Sequence, residues 1–144
     1  MNRTSGKLRL SRRPRRRGVS AVEFALVLPV LLTLVGGAVD FGRCFYTHIA
    51  VTNAARAGAE FASTHPVTTV TSAWWQAAIG GIVARELGDR FTETPGVDAP
   101  MPASEGSMKR VSVTVTYPFE TIVTWPGVPS QFAITRTVQM RVIR

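Results

Sequence analysis

The chain has 144 residues, 45% of them hydrophobic and 18% charged, with a single cysteine. That balance is too apolar for a disordered chain, and one cysteine excludes an intramolecular disulfide framework. The formal net charge of +8 does not describe a basic surface, because eight of the 17 basic residues lie within residues 1–17 without an acid, and the other nine are matched by nine acids from Glu23 to Glu120.

The N-terminal 18 residues form the basic leader, ending in Arg15-Arg16-Arg17-Gly18. A basic tail that abuts an apolar run reports membrane orientation rather than nucleic-acid binding. The apolar run follows at once, from Val19 to Val39, with Glu23 as its one charge. At about 1.5 Å per residue such a run spans roughly 30 Å as a helix, enough to cross a hydrocarbon core. Leu26, Val27, Leu28, Val30, Leu31, Leu32, Leu34 and Val35 put apolar groups on every side of it, a pattern suited to lipid. Pro29 removes one backbone hydrogen bond, and Gly36-Gly37 is read as a second soft point. The leader places its own side in the cytoplasm and everything after about Asp40 outside it. Two rivals remain open at this level: a cleaved secretory signal, since SRRPRRR resembles a twin-arginine signal and Gly36-Gly37-Ala38 could be cut, and a plain single-pass anchor. Neither gives Glu23 a task. A carboxylate at the centre of a span costs about 2.5–3.5 kcal/mol on insertion scales, somewhat less near the interface, so it calls for a partner.

Beyond Val39 the helical pattern continues to about residue 63, a rod of roughly 65–70 Å from residue 19. Ala50, Ala54, Gly58 and Ala62 recur every four residues as a helix-packing stripe of small side chains. It seats either the local core or another subunit. Phe41, Phe45 and Ile49 form a second stripe. Asp40 with Arg43, and Arg56 with Glu60, are spaced for surface pairs of a few tenths of a kcal/mol. Cys44 reads as a small apolar helix residue.

Pro66 is expected to close this helix, and Ser72 to cap a second one ending near Gly88. Trp75, Ala78, Ile79, Ile82, Val83 and Leu87 share its apolar face, which Glu86 interrupts. Residues 93–108, with three prolines and two glycines, read as an extended loop. Val111, Val113, Val115 and Tyr117 then alternate with polar residues in a strand ended by Pro118, and Phe132, Ile134, Val138, Met140 and Val142 alternate in another, with Arg136 interrupting.

The expected class is α+β: a long N-terminal transmembrane helix, a shorter second helix and a small C-terminal antiparallel sheet of at least two strands. The expected organisation is a leader at 1–18, a span at 19–39 continuing as helix to about 63, and an extracytoplasmic α+β region at 64–144. Roughly 105 residues follow the span, which makes a small core of their own.

No catalytic constellation is legible. His48 and His65 have no Cys or acid at ligand spacing from both, and there is no G-x-S-x-G elbow, Walker loop or G-x-G-x-x-G. No metal, cofactor or nucleic-acid partner is expected. Trp74 and Trp75 are read as buried or interfacial anchors rather than stacking platforms.

The junction Gly18-Val19-Ser20-Ala21-Val22-Glu23-Phe24 resembles the cleavage motif of type IV prepilins. More narrowly, residues 15–63 resemble the TadE-like family, pseudopilins of the tight-adherence pilus assembly system. The matching features are Arg-Gly before the run, Ala21-Val22-Glu23-Phe24-Ala25-Leu26, Leu28-Pro29, Asp40-Phe41-Gly42-Arg43 and Asn53-Ala54-Ala55-Arg56-Ala57-Gly58-Ala59. The resemblance implies cutting by a membrane prepilin peptidase between Gly18 and Val19. It also implies retention in the inner membrane, with other pilins and the assembly machinery as partners. Glu23, with Phe24 after it, would then neutralise the new amine of a neighbouring subunit. Phe24 departs from the major pilins of this system, which tend to carry Tyr there.

Overall fold

The computed structural model describes residues 17–65, 67–105, 108–124 and 127–142. The elements in chain order are α1 (Arg17–Thr64), α2 (Ser72–Leu87), β1 (Gly96–Asp98), β2 (Ala103–Glu105), β3 (Met108–Glu120) and β4 (Gln131–Arg141). The chain is α+β, as its patterning indicates. It divides into two units, one ending at Val35 and the other running from Gly36 to the C-terminus.

Within the first unit the described structure is helix alone. Its apolar side chains are exposed all round, from Val19 through Leu26, Leu31 and Leu34 to Val35. Pro29 lies inside the helix, and the Thr33 hydroxyl donates back to its carbonyl at 2.8 Å. By length and composition this helix can cross a membrane.

The second unit holds the core. β3 is its central strand. β4 pairs antiparallel along one side of it, from Arg110↔Arg141 to Glu120↔Gln131. β1 and β2 also pair antiparallel with β3, over Thr114–Thr116 and Met108–Arg110 respectively. Alternate residues of β3, Val111, Val113, Val115, Tyr117 and Phe119, are buried. They join Val51, Ala54, Ala55, Ala59 and Ala62 of α1, and Trp75, Ile79, Val83 and Leu87 of α2, in one apolar cluster. The α2 residues are spaced by four, so a single narrow stripe faces inward. Small residues on α1 let this layer close: a Cβ on Gly58 would stand 3.1 Å from Val83 and 3.3 Å from both Ile79 and Val113. On the outer sheet face Thr114 and Thr137 share a hydroxyl hydrogen bond at 2.8 Å, and Thr116 and Thr135 another at 3.2 Å. Such cross-strand threonine pairs support the register.

Four expectations are corrected here. Residues 93–108 are not all loop, since β1 and β2 form within them; each is only 3 residues long, too short to leave a periodic signal. β3 does not stop at Pro118 but runs to Glu120. β1 reaches only as far as Thr116, so beyond it β3 is partnered on the β4 side, and a ring nitrogen is tolerated at an open edge. Ser72 does not cap α2; it is the first helical residue, Thr71 precedes it without a side-chain cap, and the Ser72 hydroxyl donates to the Thr69 carbonyl. Glu86 lies outside the buried face of α2 and is exposed. α1 ends at Thr64, and Pro66, the expected terminator, lies outside the described residues. Gly88, with φ of 75°, ends α2 as expected and donates its N–H to the Ala84 carbonyl.

Arg136 has a local explanation. It pairs with Val115 and therefore sits on the inward side of β4. That strand is thinly covered: of its residues only Ile134 is buried, and the Arg136 guanidinium meets His48 on α1. His48 also stacks near Phe45, with centroids 6.5 Å apart.

Candidate functional site

Gly18, Val19, Glu23 and Phe24 all fall in the first unit, in the opening turns of α1, and all are exposed. A Cβ on Gly18 would meet nothing within 4 Å. Glu23 has no ion-pair partner among the described residues and stands among exposed valines and leucines. A lone carboxylate on an apolar helix is the charge arrangement that a second chain could neutralise, because neither partner of such a pair is tolerable alone in a low-dielectric medium.

The small-residue stripe lies in the second unit. Ala54 and Ala62 are buried at 0% and 1% exposure, Gly58 is buried and Ala50 half-buried. These residues seat α2 and β3. The second stripe is different in kind: Phe41, Phe45 and Ile49 are 73%, 57% and 47% exposed. Trp74 and Trp75 also part company. Trp75 is fully buried and donates from Nε1 to the His65 carbonyl at 3.2 Å, while Trp74 is largely exposed. Cys44 is half-buried against the apolar cluster.

Sequence reasoning missed the role of Asp40. It read Asp40 and Arg43 as a surface pair, but Asp40 is only 5% exposed. One carboxylate oxygen accepts the N–H of Ile122 at 2.9 Å and the other the N–H of Val123 at 3.1 Å. Arg43 pairs with the same carboxylate at 3.3 Å, donates to the Glu120 carbonyl at 3.3 Å, and lies over the Phe119 ring at 5.4 Å. The start of the β3–β4 connection is thus clamped to α1. Its two ends are joined as well, by the Thr121 N–H donating to the Ser130 carbonyl at 2.9 Å. Gly36 completes the clamp, because a Cβ there would stand 3.0 Å from a Val123 methyl. The available signal was an acid immediately after an apolar run with a glycine pair just before it, a place where another segment can come close and offer the carboxylate its backbone N–H groups beside the Arg43 pair.

A cleft of about 340 Å³ opens beside this clamp, lined by Arg43, Tyr46, Arg90, Phe91, Glu93 and Tyr117 among others. Of the threonines lining it, Thr47 donates its hydroxyl to the Arg43 carbonyl at 2.9 Å. Among the described residues no three His, Cys, Asp or Glu side chains are grouped to hold a metal. What the molecule offers is an exposed apolar helix with one carboxylate, joined in sequence to a small α+β unit.

Comparison with known proteins places a family match on that helix. Residues 18–60 match the model of the TadE-like protein family. No curated protein and no solved structure matches the chain.

Proposed function

We propose that this chain, TadE-like over residues 18–60, is a minor pseudopilin or assembly subunit of a tight-adherence pilus. It is held in the inner membrane by the helix beginning at Val19, with the basic leader in the cytoplasm and the α+β unit outside. A prepilin peptidase cuts between Gly18 and Val19. The amine freed on Val19 of one subunit is then met by Glu23 of another. The observation that carries this reading is Glu23 itself: a solitary exposed carboxylate on an apolar helix, at the fifth position after a glycine, inside the matched segment. A permanent anchor has no use for it, and the insertion cost of about 2.5–3.5 kcal/mol at mid-span, less near the interface, would select against it.

N-terminal sequencing of the membrane-extracted full chain, from cells with an active prepilin peptidase, tests the reading. Chains beginning at Val19 are expected. Chains beginning at Met1 would make the protein a permanent single-pass anchor, and chains beginning near Val39 would make the apolar run a removed signal. Gly18→Leu is expected to abolish the cut. The space around Gly18 admits a larger side chain, so the substitution acts on the peptidase's access and not on the helix.

Glu23→Gln keeps the size of the side chain and removes its charge. Membrane insertion is expected to be retained, while recovery of pilus components with the tagged protein falls by roughly tenfold, the equivalent of one charge contact of about 1.4 kcal/mol. Undiminished recovery would leave the carboxylate without the assigned role.

A further inference from the structure

We propose that the start of the β3–β4 connection, residues 121–124, rests on the membrane surface, with Ile122 and Phe41 entering the interfacial layer of the bilayer. The proposal builds on the reading that residues 19–39 span the membrane. Gly36 to Val39 are the last turn of that apolar run, and they belong to the same unit as the sheet. The connection is fixed against this turn by three contacts already described: Val123 against Gly36, and the Asp40 carboxylate on the N–H groups of Ile122 and Val123. Its height along α1 is therefore set by the level at which the span ends. A segment held at that level faces headgroups, not bulk water.

The composition of the segment fits that surroundings. From Thr121 to Ser130, the connection between the two strands, there is no charged residue, whereas surface connections usually carry them. Ile122 is 67% exposed, although its backbone is held by a buried carboxylate. Phe41, next to Asp40 on α1, is 73% exposed, and Val128 in the same connection is 49% exposed. A single exposed isoleucine means little by itself. Here it is pinned against Gly36 and Asp40, where the apolar run ends in sequence, and on this proposal that exposure is to lipid. Arg43 has the opposite character and suits the same level: its guanidinium lies over the Phe119 ring and pairs with Asp40, while its side chain stays 46% exposed, a cation at the height of lipid phosphates. Interfacial side chains of this kind sit about 5–10 Å into the headgroup and acyl boundary. The outcome is a second point of contact between the chain and the bilayer, in addition to the span.

Lipid-borne quenching tests this. The full chain, with Cys44→Ser, is labelled at one introduced cysteine with an environment-sensitive fluorophore and reconstituted into phosphatidylcholine–phosphatidylglycerol vesicles carrying a nitroxide near the headgroup for positions 122 and 139 and deep in the acyl chain for position 31. Ile122→Cys is the test position, Leu31→Cys reports the span, and Gln139→Cys, exposed on the outer sheet face, reports solvent. The expected result is quenching at 122 roughly twofold or more above that at 139, with blue-shifted emission, as for a side chain in the interface. Quenching at 31 but not at 122, with the 122 label open to aqueous iodide, overturns the proposal and leaves the span standing. Shielding at 122 from both quenchers also overturns it and points to a covering protein chain. Absence of quenching at 31 removes the span and the proposal together.

Discussion

Gly58→Leu is expected to destabilise the α+β unit by about 3 kcal/mol or more, while Gly58→Ala changes its stability little. The backbone of α1 comes so close to α2 and β3 at this point that a Cβ alone would reach 3.1 Å from Val83 and 3.3 Å from Ile79 and Val113. For alanine the neighbours must give by only a few tenths of an ångström. The gain of about 0.8–1.0 kcal/mol in helix propensity over glycine offsets that strain. Leucine adds three more carbons where the interior has no space for them. Overpacking of this kind costs about 1–3 kcal/mol and occasionally more, and all three neighbours here belong to the buried cluster and cannot turn away to solvent. Urea titration of the detergent-held full chain, followed by tryptophan emission, reads the difference as a lower midpoint. The measurement also separates two roles for the stripe. A stripe that only contacted another subunit would leave the isolated chain equally stable with leucine and would lose assembly instead. An unchanged midpoint would therefore contradict the position of Gly58 at the centre of the core.

The elements built on long periodic patterns were legible in the sequence. α1, α2, β3 and β4 each carry enough alternation or four-residue spacing to be seen, and the α+β class follows from their order. β1 and β2 were not legible, because three residues cannot show a period; they exist because β3 offers an unfilled edge. The small-residue stripe was visible as a pattern, but its partner was not, since a stripe states only that something comes close. The TadE-like resemblance was legible from residues 15–63 and recurs as the family match over 18–60. The roles proposed for Gly18 and Glu23 rest on spacing along the chain alone, and the structure adds that both residues stand exposed. Asp40 was misread for a physical reason. Its partners are backbone N–H groups 82 and 83 residues away, and backbone donors leave no side-chain signature in a sequence.

Asp40→Ala is the second large effect, and it should be local. The substitution removes both acceptors from the Ile122 and Val123 amides and takes from Arg43 its carboxylate. Hydrogen bonds to a charged group contribute about 1.5–3 kcal/mol each, and a donor left buried without a partner costs about 1–3 kcal/mol. Some of that is recovered as the freed amides find water, because the Arg43 side chain is 46% exposed and the site is close to solvent. Arg43 also keeps the Glu120 carbonyl and the Phe119 face, so the end of β3 stays in place. A net loss of about 2–4 kcal/mol for the connection follows, and at about 1.4 kcal/mol per factor of ten this means amide exchange at Ile122 and Val123 faster by roughly 30- to 1,000-fold. Amides in the middle of β3, such as Val113 and Val115, should keep their protection, since their burial rests on α2 and the small-residue face of α1. Asp40→Asn separates charge from shape. It retains one oxygen that can accept from one of the two amides, but turns an NH₂ group toward the other, so exchange should rise at one amide and much less at its neighbour. Equal protection in all three proteins would show that Gly36 and the Thr121–Ser130 closure hold the connection without the carboxylate. A collapse of protection throughout β3 would instead make Asp40 a support of the whole unit, a larger role than two amide contacts account for.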